Sequence, residues 1–250
     1  MEQIRSAPLS SVEGCVAAMP ARLRPTAPIA ADAILVGDPG RALLLAQALL
    51  EKPKMSNHAR GLWGYSGRTT EGDALTIQAT GMGGPSAAMV LTDLAELGVR
   101  QAVRVGTCVA AAGRAGLGEL LLPSKAIAAG GSASSFGLQA GAAAEPNTEL
   151  LNRLREAPEP REVAVTSLDT LANSTEIPAE TVAADMQTVA VFAHACQLGV
   201  AVAAILVVSV VGEEAIDDAE LDAAAKRAGE VAMRGLSRPP GIVSNPQVES

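Results

Sequence analysis

Residues 33–41 read Ala33-Ile34-Leu35-Val36-Gly37-Asp38-Pro39-Gly40-Arg41. Four apolar residues make a short strand, Gly-Asp-Pro-Gly supplies turn chemistry, and an apolar-periodic helical stretch follows over 41–50. The unit recurs. Residues 74–79 alternate like a strand and end in Gly81-Met82-Gly83-Gly84-Pro85, after which apolar residues return at helical spacing over 86–97. Residues 101–105 are another strand, closed by Gly106-Thr107. Strands are also expected over 119–128, 162–167 and 201–209, and helices over 187–198 and 217–236. Strands alternating with helices, with glycines at the strand C-termini, predict an α/β fold: a three-layer sandwich around a central mixed, largely parallel sheet. Ligands in such sheets bind beyond the C-terminal ends of the strands.

Around this core, residues 1–30 are rich in Ala, Pro and Ser and read as an irregular N-terminal arm. Residues 31–236 form one domain, and 237–250, with three prolines, read as a flexible tail. The Ala/Gly-rich stretch 128–144 is low in complexity and is expected to be a flexible connection. No internal repeat is evident.

A chain of 250 residues can bury a sizeable core. That core is aliphatic, because 48% of residues are hydrophobic but only 2% aromatic, which leaves few rings to stack on a flat ligand. A net charge of −8 argues against a general nucleic-acid or anionic-membrane binder, so an anion has to be held by a local cluster of donors. Cys15, Cys108 and Cys196 are widely spaced, and with two histidines they give no disulfide framework and no metal-ligand spacing. Residues 200–211, the most apolar stretch, are too short to span a bilayer, and no secretory signal is seen at the N-terminus. A cytoplasmic protein is the expectation.

Three segments can carry chemistry. In the first, Gly37 lets backbone N–H groups approach an anion, the following helix N-terminus adds a favourable dipole, and Arg41 can make paired hydrogen bonds to phosphate oxygens. The same residues also suit an ordinary strand–turn–helix connection. In the second, Arg104 lies inside an apolar strand, a costly placement unless it is ion-paired or faces a ligand; Gly106-Thr107 directly after it favours the ligand. In the third, Asp185-Met186-Gln187 opens a helix, where Asp185 reads equally as an N-cap and Met186 as core. The Gly81–Ser86 run lacks the third glycine and the acidic residue of a dinucleotide fingerprint, so it supports tight strand–helix packing better than NAD.

In this order the motifs resemble the purine nucleoside/uridine phosphorylase family, over about residues 34–208. The most specific block runs from Thr80-Gly81-Met82-Gly83-Gly84-Pro85-Ser86-Ala87-Ala88 to Arg104-Val105-Gly106-Thr107-Cys108. The resemblance implies that Gly37, Arg41, Arg104 and Thr107 bind phosphate. It also implies that Arg60, in His58-Ala59-Arg60-Gly61, reaches the site of a neighbouring subunit in a homodimer or hexamer. The family reaction is phosphorolysis, with inorganic phosphate as co-substrate and no further cofactor. Phosphate attacks the anomeric carbon of the nucleoside as the bond to the base breaks, giving ribose 1-phosphate and free base, and positive charge develops on the sugar in the transition state. The nucleoside side is then expected from Thr107, Cys108, Leu171, Asp185, Met186, Gln187 and Val210, with Arg104 and Gln187 as the catalytic pair.

The departures from the family pattern are all on that nucleoside side. Gln187 replaces a glutamate that grips the ribose hydroxyls, and Val210 stands where purine-specific members carry an acid, a change that typically costs about 10²–10⁴ in rate. Leu171 replaces an aromatic, Val109 replaces a glycine and is expected to narrow the base pocket, and no histidine in the arm matches the one contacting the 5′-hydroxyl. A uridine-type Gln/Arg pair is absent from 165–179. Asp169, Glu213 and Glu214 are candidates to replace the lost acid. Two functions follow: a pentosyltransferase of unusual specificity, or a non-catalytic relative that binds phosphate, a sugar phosphate or a nucleotide as a sensor or regulatory subunit.

Overall fold

The structure, a computed structural model, describes residues 21–171 and 177–237. The expected units form. Strand β1 (Asp32–Val36) leads into helix α1 (Pro39–Leu49), with Asp38 as N-cap: its carboxylate accepts from the Arg41 N–H at 2.8 Å and Pro39 opens the first turn. After β2 (Glu51–Asn57), β3 (Gly64–Arg68) and β4 (Ala74–Ala79), helix α2 (Gly84–Glu96) starts from Gly83 at φ 84°. The rest of the chain supplies β5 (Gln101–Ala110), β6 (Leu120–Ala128), the two-residue β7 (Ala143–Ala144) and α3 (Thr148–Arg155). It continues with β8 (Arg161–Ser167), β9 (Ala183–Asp185), α4 (Thr188–Leu198), β10 (Ala201–Val211), β11 (Glu214–Ala215) and α5 (Asp218–Leu236).

The strands form one mixed sheet ordered β11-β10-β6-β8-β9-β5-β1-β4-β3-β2, and its longest pairings are parallel. Because β10 also pairs with β5, five of these strands close on themselves at one end of the sheet. Alternation along β1 divides the core. Ala33 and Leu35 join α2 and α4 on one face, through Leu91, Leu94 and Phe192. Ile34 and Val36 join α1, α3 and α5 on the other, through Leu45, Leu154 and Ala228. The result is the expected three layers. Small residues permit close helix packing: a Cβ on Gly84 would stand 2.8 Å from the Cβ of Ala190, and one on Gly229 would stand 2.9 Å from Leu45.

Three expectations are corrected. β5 does not stop at Gly106; it runs on to Ala110 because β10 and β9 continue to pair with it. The stretch 128–144 is built rather than loose. It holds a 3-10 turn (Gly131–Phe136) and the β6–β7 pairing, and the Asp169 carboxylate accepts from the Ser132 N–H and hydroxyl. Strands β2 and β3 were not expected at all. Most of the N-terminal arm (1–20) and nearly all of the tail (238–250) lie outside the described residues.

Candidate active site

Two glycine loops, at the C-terminal ends of β1 and β4, converge on the middle of β5 and the start of α4. They enclose a cavity of about 150 Å³ lined by Gly37, Arg41, Met82, Gly83, Arg104, Gly106, Thr107, Leu171, Met186 and Gln187. The sequence-level candidates Gly37, Arg41, Arg104, Thr107, Leu171, Met186 and Gln187 are thus brought together. Met82, Gly83 and Gly106 were not anticipated as lining, although the glycine loop after β4 was the available signal.

Arg104 is 5% exposed; it makes the ion pair that was one of its two possible roles, and one edge of its guanidinium is left over. Its Nη2 pairs with Asp185 at 2.9 Å and its Nε donates to the Gln187 Oε1 at 3.3 Å, while Nη1 is buried without a partner among the described residues. Gly106 makes room for this guanidinium: a Cβ there would fall 1.6 Å from Nη1. Asp185 is therefore more than an N-cap. Fully buried, it accepts from the Ser167 hydroxyl at 2.5 Å, the Thr188 hydroxyl at 2.7 Å and the Gln187 and Thr188 N–H groups.

Burial lowers the pKa of Arg41; Asp38 opposes this, nearby Arg104 adds to it and Asp222 opposes it. Burial likewise lowers that of Arg104 against the pull of Asp185. Neither guanidinium deprotonates, so these directions mean that two cations are held largely out of water, a cost that an anion bound between them would offset. A Cβ on Gly37 would meet only ordinary contacts, at 3.6 Å from the Gly81 carbonyl oxygen and 3.8 Å from the Gln187 Oε1. Protein packing does not demand glycine at this position.

The remaining expected contacts lie off this cavity. Asp185 stands behind Arg104, where neutralising it saturates the carboxylate. Cys108 belongs to the apolar core, donates weakly to the Val207 carbonyl at 3.6 Å, and has its thiol pKa pushed up by burial, so it stays a neutral thiol. Val210 follows a bulge at Ser209 in β10 and pairs with Val109, so two of the aliphatic departures are register neighbours. Arg60, exposed at φ 58° in a 3-10 turn, does not line the cavity of its own chain.

Among the described residues, none that lines the cavity is a carboxylate or an imidazole. Of the candidate acids, Asp169 is held below the ordinary carboxylate range, chiefly by the Ser132 hydroxyl, and so carries no proton to give near neutral pH. Glu213 and Glu214 lie exposed at the β10–β11 turn, away from the lining. Among the described residues no group of three His, Cys, Asp or Glu could hold a metal ion, and no helix is long and apolar enough to cross a membrane.

Comparison with known proteins agrees with this architecture. An 81-residue segment is 43% identical to the DeoD-type purine nucleoside phosphorylase of Oceanobacillus iheyensis, covering 32% of this chain and 34% of that protein. The match to the corresponding protein of Clostridium novyi is of the same extent, at 43% identity. The aligned segment thus spans about a third of the length of the curated relatives it matches. In three dimensions, a uridine phosphorylase from Vibrio fischeri superposes with a TM-score of 0.69 at 24% identity, over 83% of this chain and 90% of that one, a likeness of fold. The phosphorylase superfamily matches residues 32–237, the entire sheet and every helix, and the chain belongs to that family, among its nucleoside phosphorylase-like members.

Proposed function

We propose that the protein is a pentosyltransferase that cleaves the N-glycosidic bond of a nucleoside with inorganic phosphate as nucleophile. The observation that carries this reading is the convergence of Arg41, Arg104, Gly37 and Thr107 on one cavity, with the Arg104 Nη1 buried and without a partner among the described residues. Guanidinium N–H groups suit a phosphate dianion, and two of them fix its orientation for attack on the anomeric carbon. The dianion then also stabilises the positive charge that develops on the sugar.

The base end is apolar. Met82, Leu171 and Met186 line it, and Val109 lies beside Val210 where a purine acid is expected. The leaving base is therefore helped by solvent or by its own acidity, which favours bases that depart readily as anions and loosens discrimination between them. A cavity of about 150 Å³ is smaller than most small-molecule sites. That size fits a site completed by a second subunit, with Arg60 as the donated cation in a homodimer or hexamer.

The test is a nucleoside panel assayed with and without phosphate. Phosphate-dependent base release, abolished in Arg104→Ala, is expected. A second reading, a non-catalytic binder of phosphate or sugar phosphates, is favoured by Gln187 and Val210 standing where acids are expected, and by the lack of an acid among the described lining residues. Binding of ribose 1-phosphate without turnover on the whole panel selects it over the first.

A further inference from the structure

Arg60 and Gly61 hold positive φ angles of 58° and 70° in the turn between β2 and β3. Glycine takes this conformation freely and arginine does not, so contacts from outside the turn have to fix it. Two fully buried amides supply them. Asn57, the last residue of β2, donates through Nδ2 to the Leu62 carbonyl at 2.5 Å, while its Oδ1 accepts from the Arg24 N–H at 2.8 Å. Gln78, in β4, donates through Nε2 to the same Leu62 carbonyl at 2.9 Å and to that of Ala79 at 2.9 Å. Both lone pairs of the Leu62 oxygen are thereby used.

The second amide is held at a cost. The Gln78 Oε1 is buried without a partner among the described residues, and it fits only because residue 64 is glycine, where a Cβ would fall 2.2 Å from it. Packing alone favours an apolar side chain of the same length. What the amide adds is its two hydrogens, and one of them closes the turn. Leu62 also touches the loop after β4, since a Cβ on Gly81 would meet its side chain at 3.5 Å. The turn is therefore seated beside the cavity, while Arg60 stays exposed and off the cavity of its own chain.

We infer that Asn57 and Gln78 are positioning residues for Arg60: their amides grip the Leu62 carbonyl, fix the His58–Leu62 turn and present the Arg60 guanidinium to a second copy of the chain. The functional half of this inference rests on the reading of the cavity as a phosphate site that Arg60 of another subunit completes. The clamp half rests on the hydrogen bonds alone. A positioning role disappears once Arg60 is gone, whereas damage to the fold weakens binding whether Arg60 is present or not.

The experiment is calorimetric titration of the full chain with inorganic phosphate. It compares the wild type, Gln78→Met, Asn57→Asp and Arg60→Ala with the two double variants that add Arg60→Ala. Gln78→Met keeps the length and removes the unpaired oxygen, and Asn57→Asp keeps the bond from the Arg24 N–H, so the fold is expected to survive both. Trp63, the single tryptophan, follows Leu62 directly and reports the turn through its emission and its quenching by acrylamide. Arg60→Ala is expected to weaken phosphate by about tenfold or more, the worth of a hydrogen bond to a charged group. Each amide variant is expected to weaken it several-fold, by no more than Arg60→Ala does, and to add nothing in the Arg60→Ala background. Trp63 becomes more quenchable in both amide variants.

The inference is overturned if the amide variants bind phosphate as the wild type does, or if they weaken it as much without Arg60 as with it. Unchanged Trp63 emission and quenching in both variants overturns the clamp. If Arg60→Ala alone binds like the wild type, the functional half fails while the reading of the Arg41 and Arg104 cavity stands. If phosphate does not bind the wild type, that reading fails together with the functional half, and Trp63 alone decides the clamp.

Discussion

Arg104 concentrates the chemistry of this fold in one side chain. Its charge is neutralised on one edge by Asp185 and left open on another, and Gly106 keeps the space beneath it clear. Removing the carboxylate leaves a buried cation uncompensated, which costs about 3–5 kcal/mol for such pairs. Asp185→Asn is therefore expected to lose about that much stability in urea unfolding, and a loss under 1 kcal/mol would count against the pair as a structural element. Gly106→Ala acts on the same guanidinium from the other side. A methyl 1.6 Å from Nη1 displaces it, so phosphate binding is expected to be lost while the circular dichroism spectrum stays native. Sequence alone offered both possible roles for Arg104, ion pair or ligand contact. It could not offer an ion pair that leaves one edge of the guanidinium free, because Asp185 comes from a strand far along the chain. Gln187 was visible as a departure, but its bonds to Gly81 and Gly83 depend on a loop more than a hundred residues away.

At the scale of elements, what could be read from the sequence tracks burial. β1, β4 and β10 carry apolar runs or clear alternation, and all three form where expected. β2 was missed because Glu51-Lys52-Pro53-Lys54 is polar; lysines and a proline suit the edge strand it proves to be. The built turn in 128–144 was missed because its order comes from Asp169, across the sheet end, rather than from its own side chains. That tie is pH-dependent. The pKa of Asp169 is lowered, so its contribution is complete above the unfolded value near pH 4 and disappears as the pH falls through the lower folded value. Asp169→Asn is accordingly expected to melt slightly below the wild type at pH 6–8, with the two converging below about pH 3. A gap that widens in acid would contradict the assignment. The contact between α2 and α4 makes a second prediction. Gly84→Ala forces a methyl to within 2.8 Å of Ala190 and is expected to cost about 1–3 kcal/mol, part of which Ala190→Gly restores in the double variant.

The whole molecule sets the last question, which is whether one chain makes a complete site. Within a single chain the cavity holds Arg41 and Arg104 but not Arg60, although Arg60 sits exposed in a strained left-handed conformation beside the sheet end. Such a conformation in a non-glycine residue persists when the surroundings or a partner fix it. In the proposed two-fold dimer each cavity takes Arg104 from one subunit and Arg60 from the other, so each single variant, Arg60→Ala or Arg104→Ala, disables every site in its own homodimer. Dissociating the two variants and mixing them in equal amounts gives heterodimers in which one site carries both lesions and the other carries neither. About a quarter of all sites are then intact by the statistics of a two-fold dimer, and phosphate binding or phosphorolysis is expected to return to about that fraction. If Arg60 and Arg104 serve the same cavity from the same chain, mixing restores nothing. Recovery on mixing separates a shared site from a merely destabilised one, because two damaged folds do not repair each other by exchange of subunits.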